Sequence, residues 1–524
     1  MWFWLGGLWL LLVLAPLVGR PLLPVDETRY VAVAWEMWVR GEWLVPYLNG
    51  EVYHHKPPLL FWLIHLGWWL FGVNEWWPRL VPGLFSLGGV WLTFYLARLL
   101  WPGEVDIARW APLILLSCLL WSLFTSAMMF DMLLSFWVLF GMVALLRERW
   151  WLLGVAVGLG ILSKGPVMLL HVLPVALLAS WWRGGMVGKS WYFGVLGGMV
   201  LGVLIALVWA VPAGLVGGEG FREAIFWGQT AGRLVSSFAH EHPVWWYLPW
   251  LPVALFPWLW WLPWWRGLLG LSEHWGEVGV RFCVAWLVLV LVSFSLVSGK
   301  QLHYLLPVLP AFALLTAFLV VRSPRMQWCG CWDNLLPALV LILVGIWFSL
   351  ASYWSIFESL PLWMTRISPW SGWLLILMGV GLMVWLLSSV RSRLWSLSVA
   401  AVLFSLVFPL SIVGAGGRAY DLREVSQYIH SLQKSNSVLV HFGDYHGQYQ
   451  FLGRLDRPLQ VVDEYEVCPW LIKHLEGKLV VYLSDRYQKL GRQADYVQPY
   501  RSKQVGIIGA AFVYGACLKM MPLL

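Results

Sequence analysis

Two carboxylates and a guanidinium stand within four positions, Asp26, Glu27 and Arg29 in "PVDETRYVAVAWEM", in a chain otherwise 60% hydrophobic and 12% charged. Carboxylates of this kind can accept a proton or orient a polar group. A cation beside them can hold phosphate through charge-assisted hydrogen bonds. Structural roles compete for each residue. Val25-Asp26 ahead of "ETRYVAVAWEM" reads as an N-cap, with Val25 and Tyr30 as its hydrophobic staple, for a helix that runs to about Arg40 and stops at Gly41. Glu27 falls in the first turn, where negative charge is favoured. Arg29 opposes the helix dipole there and needs another reason.

Further along, "YHHKPPLLFW" sets Lys56 before two prolines. Proline fixes its own backbone and restricts the residue before it, so Lys56 stands on a stiff corner. It reads either as a phosphate-binding cation or as a lysine snorkelling to the interface. His54 and His55 are neighbours on an irregular segment, which is expected to point them apart and disfavours a metal. Asp131 in "MMFDMLLSF" opens an apolar helix, as a cap or as a functional acid at a membrane boundary. Lys164 in "SKGP" separates two short apolar runs, and could be no more than a loop charge. The loop 214–246 carries Arg222, Arg233, His240 and His242, and "SGKQLHYLLP" adds Lys300, His303 and Tyr304. Cations and phenols outnumber acids in this set. That balance suits a phosphate-bearing ligand, with one or two carboxylates left for acid–base or sugar-binding work.

The elements that position these residues are membrane helices. A chain of 524 residues with 43 Trp and a mean hydropathy of +0.71 is not a soluble globule. Its apolar runs are continuous and non-alternating, so they read as helices. Spans are expected near 2–19, 79–98, 108–126, 131–147, 150–163, 166–182, 191–213, 247–265, 282–298, 304–321, 334–353, 370–389 and 394–413. Trp2–Gly19 lacks a basic leading region and a clear small-x-small cleavage site, so it reads as a retained anchor. The stretch 58–71 is read as an interfacial helix, because counting it as a span reverses the parity of all that follows. Parity is set by the basic residues, which accumulate in cytoplasmic loops. Arg98 and Arg109, Arg147 and Arg149, Arg183 and Lys189, Arg266 and Arg281, Arg322 and Arg325, and Arg391 and Arg393 then all face the cytoplasm. Asp26, Glu27, Lys56, Asp131, Lys164, the 214–246 loop and Lys300–Tyr304 all come to the opposite side.

The distribution of the formal charge of +8, not its sum, therefore sets orientation, and no nucleic-acid partner is expected. From about residue 415 the composition becomes more charged, with strand-like runs "SVLVHF" and "KLVVYLS", which reads as a small α/β domain. The closing "VGIIGAAFVYGACLKMMPLL" reads as buried strand rather than another span. Cys118 and Cys283 fall in spans, Cys329 and Cys331 lack the partners of a zinc site, and Cys468 and Cys517 could pair, though nothing in the sequence forces it.

"DETRYVAVAWEMWVRGEWLVPYLNGEVYHHKPPLLFW" resembles the first external loop of aminoarabinose-transferase-like enzymes, relatives of the protein O-mannosyltransferases. "FDMLLSF", "SKGP", "PVWWYLP", "GKQLHYLLP" and the tail phrase "YQFLGRLDRP" follow in that family's order. The resemblance implies a GT-C fold: an all-α polytopic membrane domain over 1–413 with about 13 transmembrane helices, interfacial helices in a first external loop at 20–78, and an extracytoplasmic α/β domain over 414–524. It also implies sugar transfer from a polyprenyl-phosphate donor, at a bacterial inner membrane, to a glycolipid of the lipid A type or to a protein. Asp26 matches the catalytic carboxylate. Arg29, Tyr30, Lys56, Arg233 and Tyr304 match positions that hold the lipid phosphate. Asp131 matches the second acidic position and Lys164 the basic residue of the KGP turn, while Glu27, His55, Lys300 and His303 are further candidates. The chain departs from the aminoarabinose branch at His55, where Glu is usual, and at Thr230, where His is usual. No cofactor is expected, and a divalent metal is the lesser alternative. A transporter or flippase is the rival class, but transporters tend to place ionisable groups near the midplane within internal repeats, and no repeat is visible here.

Overall fold

The structure, a computed structural model, describes residues 2–232, 241–323, 333–351, 353, 362–384, 389–483 and 491–514. The chain divides into a helical unit of Met1–Val18, His54–Ala351 and Ser368–Ser411, and a second unit of Gly19–Tyr53, Ser352–Ile367 and Ile412–Leu524.

In the helical unit the long apolar runs fold as expected, since a segment in hydrocarbon must satisfy its own backbone. Among the described residues six stretches are long and apolar enough to cross a membrane: Trp2–Gly19, Trp76–Leu100, Lys189–Val216, Val278–Leu296, Leu302–Arg322 and a stretch within Arg391–Lys434. Val105–Ser117 and Leu119–Thr125 form a seventh if counted together, bent by 70°. The expected span 247–265 is not one helix. It breaks into Val244–Trp250, Leu251–Ala254, Trp258–Trp260 and Leu262–Leu269, because Pro249, Pro252, Pro257 and Pro263 each lack the N–H that a continuing helix needs. The expected span 166–182 likewise breaks, into Val167–Leu177 and Ala179–Arg183. Leu59–Phe71 is a helix of 13 residues ending at Gly72. It reaches about 20 Å, short of a ~30 Å hydrocarbon core.

Helix contacts use small residues, as expected where no hydrophobic force drives association. A Cβ on Gly158 would meet Ile205 Cβ at 2.6 Å, and one on Gly202 would meet the Gly154 carbonyl at 3.0 Å, so the helices Trp150–Lys164 and Lys189–Val216 pack almost backbone to backbone. The connections that carry the basic pairs are tied to one another. Arg183 meets Glu148 at 2.8 Å, Arg322 meets Glu104 at 3.4 Å and Glu277 at 3.7 Å, and Arg391 meets Asp106 at 3.5 Å. Buried Asp333 takes both Arg266 and Arg393, and the Arg281 guanidinium packs over Gly184. All six connections therefore lie on one face of this unit.

The second unit is built on a five-stranded sheet: β3 (Leu439–Phe442), β4 (Gln460–Val462), β5 (Lys478–Leu483), β6 (Ala494–Tyr500) and β7 (Lys503–Gly509), preceded in the chain by the small hairpin of β1 (Tyr47–Leu48) and β2 (Glu51–Val52). The sheet order is β4-β3-β5-β7-β6, with β3 parallel to β4 and β5, and β7 antiparallel to β5 and β6. Val440, Val462, Trp470, Leu471, Leu479, Val481 and Ile508 form its core. The strand reading of the closing run fits Val505–Gly509; residues 510–514 are helical, and the remainder lies outside the described residues. Cys118 and Cys283 are free and buried, Cys468 is disulfide-bonded, and Cys329, Cys331 and Cys517 lie outside the described residues.

Residues 19–53 belong to this unit through a hairpin. Asn49 and Gly50 both have positive φ, 55° and 88°, the type I′ turn that suits a two-residue loop. The Asn49 side chain donates to Leu459 O at 2.8 Å and accepts from Leu459 N at 2.7 Å and Gln450 Nε2 at 2.8 Å. Trp35 Nε1 donates to Leu455 O at 3.1 Å. The segment bearing Asp26 is thus fastened to the sheet domain four hundred positions later.

Candidate active site

In the second unit, the helix Asp26–Arg40 begins as read and ends at Gly41 in the left-handed conformation. The capping expectation for Asp26 does not hold. Val25 occupies the cap position with helical dihedrals, and no side chain caps the helix. Asp26 lies one residue further in, where its carboxylate turns to the next turn and pairs with the Arg29 guanidinium. The two side chains are 49% and 24% exposed, so the pair is open to a ligand. Glu27 is buried and takes both Arg20 nitrogens, at 2.6 and 2.8 Å, and Leu23 N at 2.8 Å. It ties down the chain that enters the helix, a partnership that sequence reasoning missed because it overlooked Arg20.

Burial works against the charge on Arg29, but Tyr53, Tyr30 and Asp26 around it outweigh this and raise its pKa. Arg29 Nε, also buried, has no hydrogen-bond partner among the described residues. Tyr30, whose ring centroid is 5.4 Å from Arg29 Cζ, is pushed up by burial and then by Asp26 and Tyr53, and keeps its proton. His446 is a further residue that sequence reasoning missed. It belongs to the loop after β3, is exposed, and lies within electrostatic reach of Arg29 and Asp26. Burial of its ring and then the Arg29 charge lower its pKa, against Asp444 and Asp26, so the imidazole is neutral at pH 7. The flanking Gly443 and Gly447 were its only sequence signal.

In the helical unit a second set gathers around Asp131, which is 1% exposed. Asp131 opens the helix Asp131–Leu146, but caps nothing with its side chain. Its carboxylate pairs with Lys164, and His303 Nε2 lies 3.9 Å away. Lys164 is at the last turn of its helix, before Gly165 with φ +87°, and lies 4.5 Å from the Tyr304 ring centroid. The loop-charge alternative for Lys164 therefore fails. Lys56 lies 5.8 Å from the ring centroid of Phe130 and close enough to Asp131 to act on its charge. Neither ring nitrogen of buried His171, another neighbour of Lys164 and Asp131, has a hydrogen-bond partner among the described residues.

Other candidates fare differently. Lys300 is 2% exposed and donates to His242 O at 2.9 Å and Val297 O at 2.5 Å, so it pins two backbone segments together. The His54 and His55 rings do not point apart; their centroids are 4.3 Å apart. Among the described residues no group of three or more His, Cys, Asp or Glu is arranged to hold a metal ion. Arg233, His240 and the Thr230 side chain lie outside the described residues.

Residues 55–209 match the family model described as dolichyl-phosphate-mannose-protein mannosyltransferase. The chain is 33% identical over 330 residues to an undecaprenyl phosphate-alpha-4-amino-4-deoxy-L-arabinose arabinosyl transferase of Pectobacterium atrosepticum, covering 59% of this chain and 57% of that one. The enzyme of the same name from Edwardsiella ictaluri is 32% identical over 340 residues, covering 61% and 59%. The chain thus spans little more than half the length of these curated relatives. The fold is like that of ArnT from Cupriavidus metallidurans in its crystal structure bound to undecaprenyl phosphate: TM-score 0.75, 21% identity, 96% of this chain and 97% of that one. The resemblance read in the first external loop is borne out by these relatives.

Proposed function

We propose that the chain is an integral-membrane glycosyltransferase that moves a sugar from a polyprenyl-phosphate donor to an extracytoplasmic glycolipid of the lipid A type. The observation that carries this reading is the set around Asp131. Lys56 and Lys164 face a single buried carboxylate, with Tyr304 against Lys164. The excess positive charge in a low-dielectric setting favours an anion such as a lipid phosphate. The names of the relatives supply the donor and sugar classes, and the family model supports the same lipid-phosphate chemistry.

In this mechanism an acceptor oxygen attacks the anomeric carbon of the sugar. The bond from that carbon to the phosphate oxygen breaks, and the electron pair leaves on the phosphate. Lys56 and Arg233, with Arg29, Tyr30 and Tyr304, stabilise the charge that develops there. If the acceptor is a hydroxyl, its proton passes to Asp26; if it is a phosphate, Asp26 orients it. The anomeric centre inverts in one displacement. Asp131 holds Lys164 in place, and His303 belongs to the same set. We infer about 13 membrane helices over 1–413, with the loop 20–78 and the domain 414–524 on the exterior face of a bacterial inner membrane.

A protein acceptor is the second reading, favoured by the description of the family model matched at 55–209. Purified protein given radiolabelled sugar on polyprenyl phosphate, with lipid A or a hydroxyl-bearing peptide in separate reactions, tests both. Label is expected in lipid A. Label in the peptide alone selects the second reading, and label in neither ends the transferase proposal. Turnover is expected to survive EDTA, because His55 and Thr230 stand where the aminoarabinose branch usually has Glu and His, and a threonine hydroxyl is a poor ligand beside imidazole or carboxylate. Loss of turnover that Zn²⁺ or Mg²⁺ restores would overturn this.

A further inference from the structure

We propose that the loop Gly443–Gln448 binds the acceptor beside Asp26, with His446 as the residue that contacts the acceptor's sugar headgroup. This rests on the glycosyltransferase reading and adds to it a site in the C-terminal domain. Three observations lead to it.

The first is topology. In the order β4-β3-β5, the chain leaves β3 for a neighbour on one side and reaches β5 on the other. In open parallel sheets of this kind, ligands bind outside the carboxyl ends of the strands, where the strand order reverses. The loop 443–448 leaves the carboxyl end of β3 at that point. Below it, His441, Tyr445 and Tyr482 fill the interior, with ring centroids 4.9 Å and 5.3 Å from His441, so a ligand is met by the loop itself.

The second is the seating of the loop. Gly443 and Gly447 have φ of 79° and 72°, values that favour glycine. A Cβ on Gly447 would come within 2.4 Å of Leu48 Cδ1 and 3.2 Å of Ala32 Cβ. The loop therefore lies flush against the hairpin and the helix that begins with Asp26. His446 N donates to Gln448 Oε1 at 2.9 Å, and Gln448 Nε2 donates to Tyr482 OH, which fixes the loop to β5.

The third is what His446 offers. Its imidazole is exposed and makes no hydrogen bond among the described residues, while facing the charges of Arg29 and Asp26. A neutral imidazole presents one donor and one acceptor, the pair that a sugar hydroxyl takes.

The test measures binding, by native mass spectrometry of the full-length protein in detergent, with lipid A and undecaprenyl phosphate as separate probes. His446→Ala is expected to weaken lipid A binding about tenfold, the loss of one or two hydrogen bonds. His446→Gln, which keeps a donor and an acceptor, should recover part of it. Undecaprenyl phosphate should bind all three proteins alike. Unchanged lipid A binding by His446→Ala overturns the inference, as does a loss confined to undecaprenyl phosphate. A native protein that binds undecaprenyl phosphate but not lipid A overturns the inference and leaves the donor half of the proposed function standing. Binding of neither overturns both.

Discussion

Asp26 and Asp131 show how differently two carboxylates of one chain can be held. Asp131 is buried against Lys164, while Asp26 is half exposed beside Arg29. The first arrangement fixes a cation, and the second leaves a carboxylate able to meet a substrate. Arg29 was legible in sequence because a cation in a first helical turn is otherwise unfavourable. The capping role given to Asp26 was an error of one position, the difference between N-cap and first helical residue, which sequence patterns resolve poorly. The partners of Lys300 were not legible for another reason: they are backbone carbonyls at Val297 and His242, and carbonyls leave no trace in residue identity. Asp26→Asn keeps the shape and an acceptor for Arg29, but removes the charge. The half-exposed pair is worth at most ~1 kcal/mol, so the thermal midpoint should hardly move. Transfer is expected to fall by about 10²-fold or more, the scale of a lost general base. Full turnover by the variant would reduce Asp26 to a partner of Arg29.

Among the elements, long uniform helices were read well and composite ones were not. Four prolines between Pro249 and Pro263 were present in the sequence read as one span, and hydropathy outweighed them. The strands β3 and β5 were visible as β-branched runs, but the attachment of the Asp26 segment to the connection between β3 and β4 was not, because Asn49 reaches Leu459 and Gln450 through contacts that no local pattern encodes. The same strand β3 carries a pH response. His441 is fully buried, with Nδ1 3.2 Å from Gly443 O and no partner for Nε2 among the described residues. Burial above all lowers its pKa to about 4, from 6.5. Between these values the unfolded chain binds a proton that the folded chain refuses, so stability falls as pH drops from about 6.5 to about 4 and levels off below. The full loss is of order ~3 kcal/mol. Amide hydrogen exchange along β3 and β5 should accelerate across that window in the native protein and much less in His441→Gln. Equal acceleration in both would place the response elsewhere.

For the whole molecule, the fold class was legible because hydrocarbon-length runs admit few structures, and the likeness to the arabinosyl transferases because the first external loop carries the motif that resembles theirs. Less visible was that residues 19–53 fold with Ile412–Leu524 rather than with the helices that flank them in sequence. Topology lies between these cases. The basic pairs were assigned to one side by counting alone, and ion pairs among Arg183, Glu148, Arg322, Glu104, Glu277, Arg391, Asp106, Arg266, Asp333 and Arg393 now join their connections on one face. Basic residues at membrane boundaries favour the cytoplasm, and that rule carries the inference that this face is internal. Gly185 is suited to test it. It is exposed, a Cβ there meets nothing within 4 Å, and its backbone is not in the left-handed region, so Gly185→Cys should fold unchanged. Cys118 and Cys283 are buried, so the new thiol is measured as the gain over the native protein. A membrane-impermeant maleimide should label it in inverted vesicles and not in intact cells. Labelling in intact cells instead would turn the Arg face outward, and would place Lys56, Asp131 and Lys164 on the side where no extracytoplasmic acceptor can reach them.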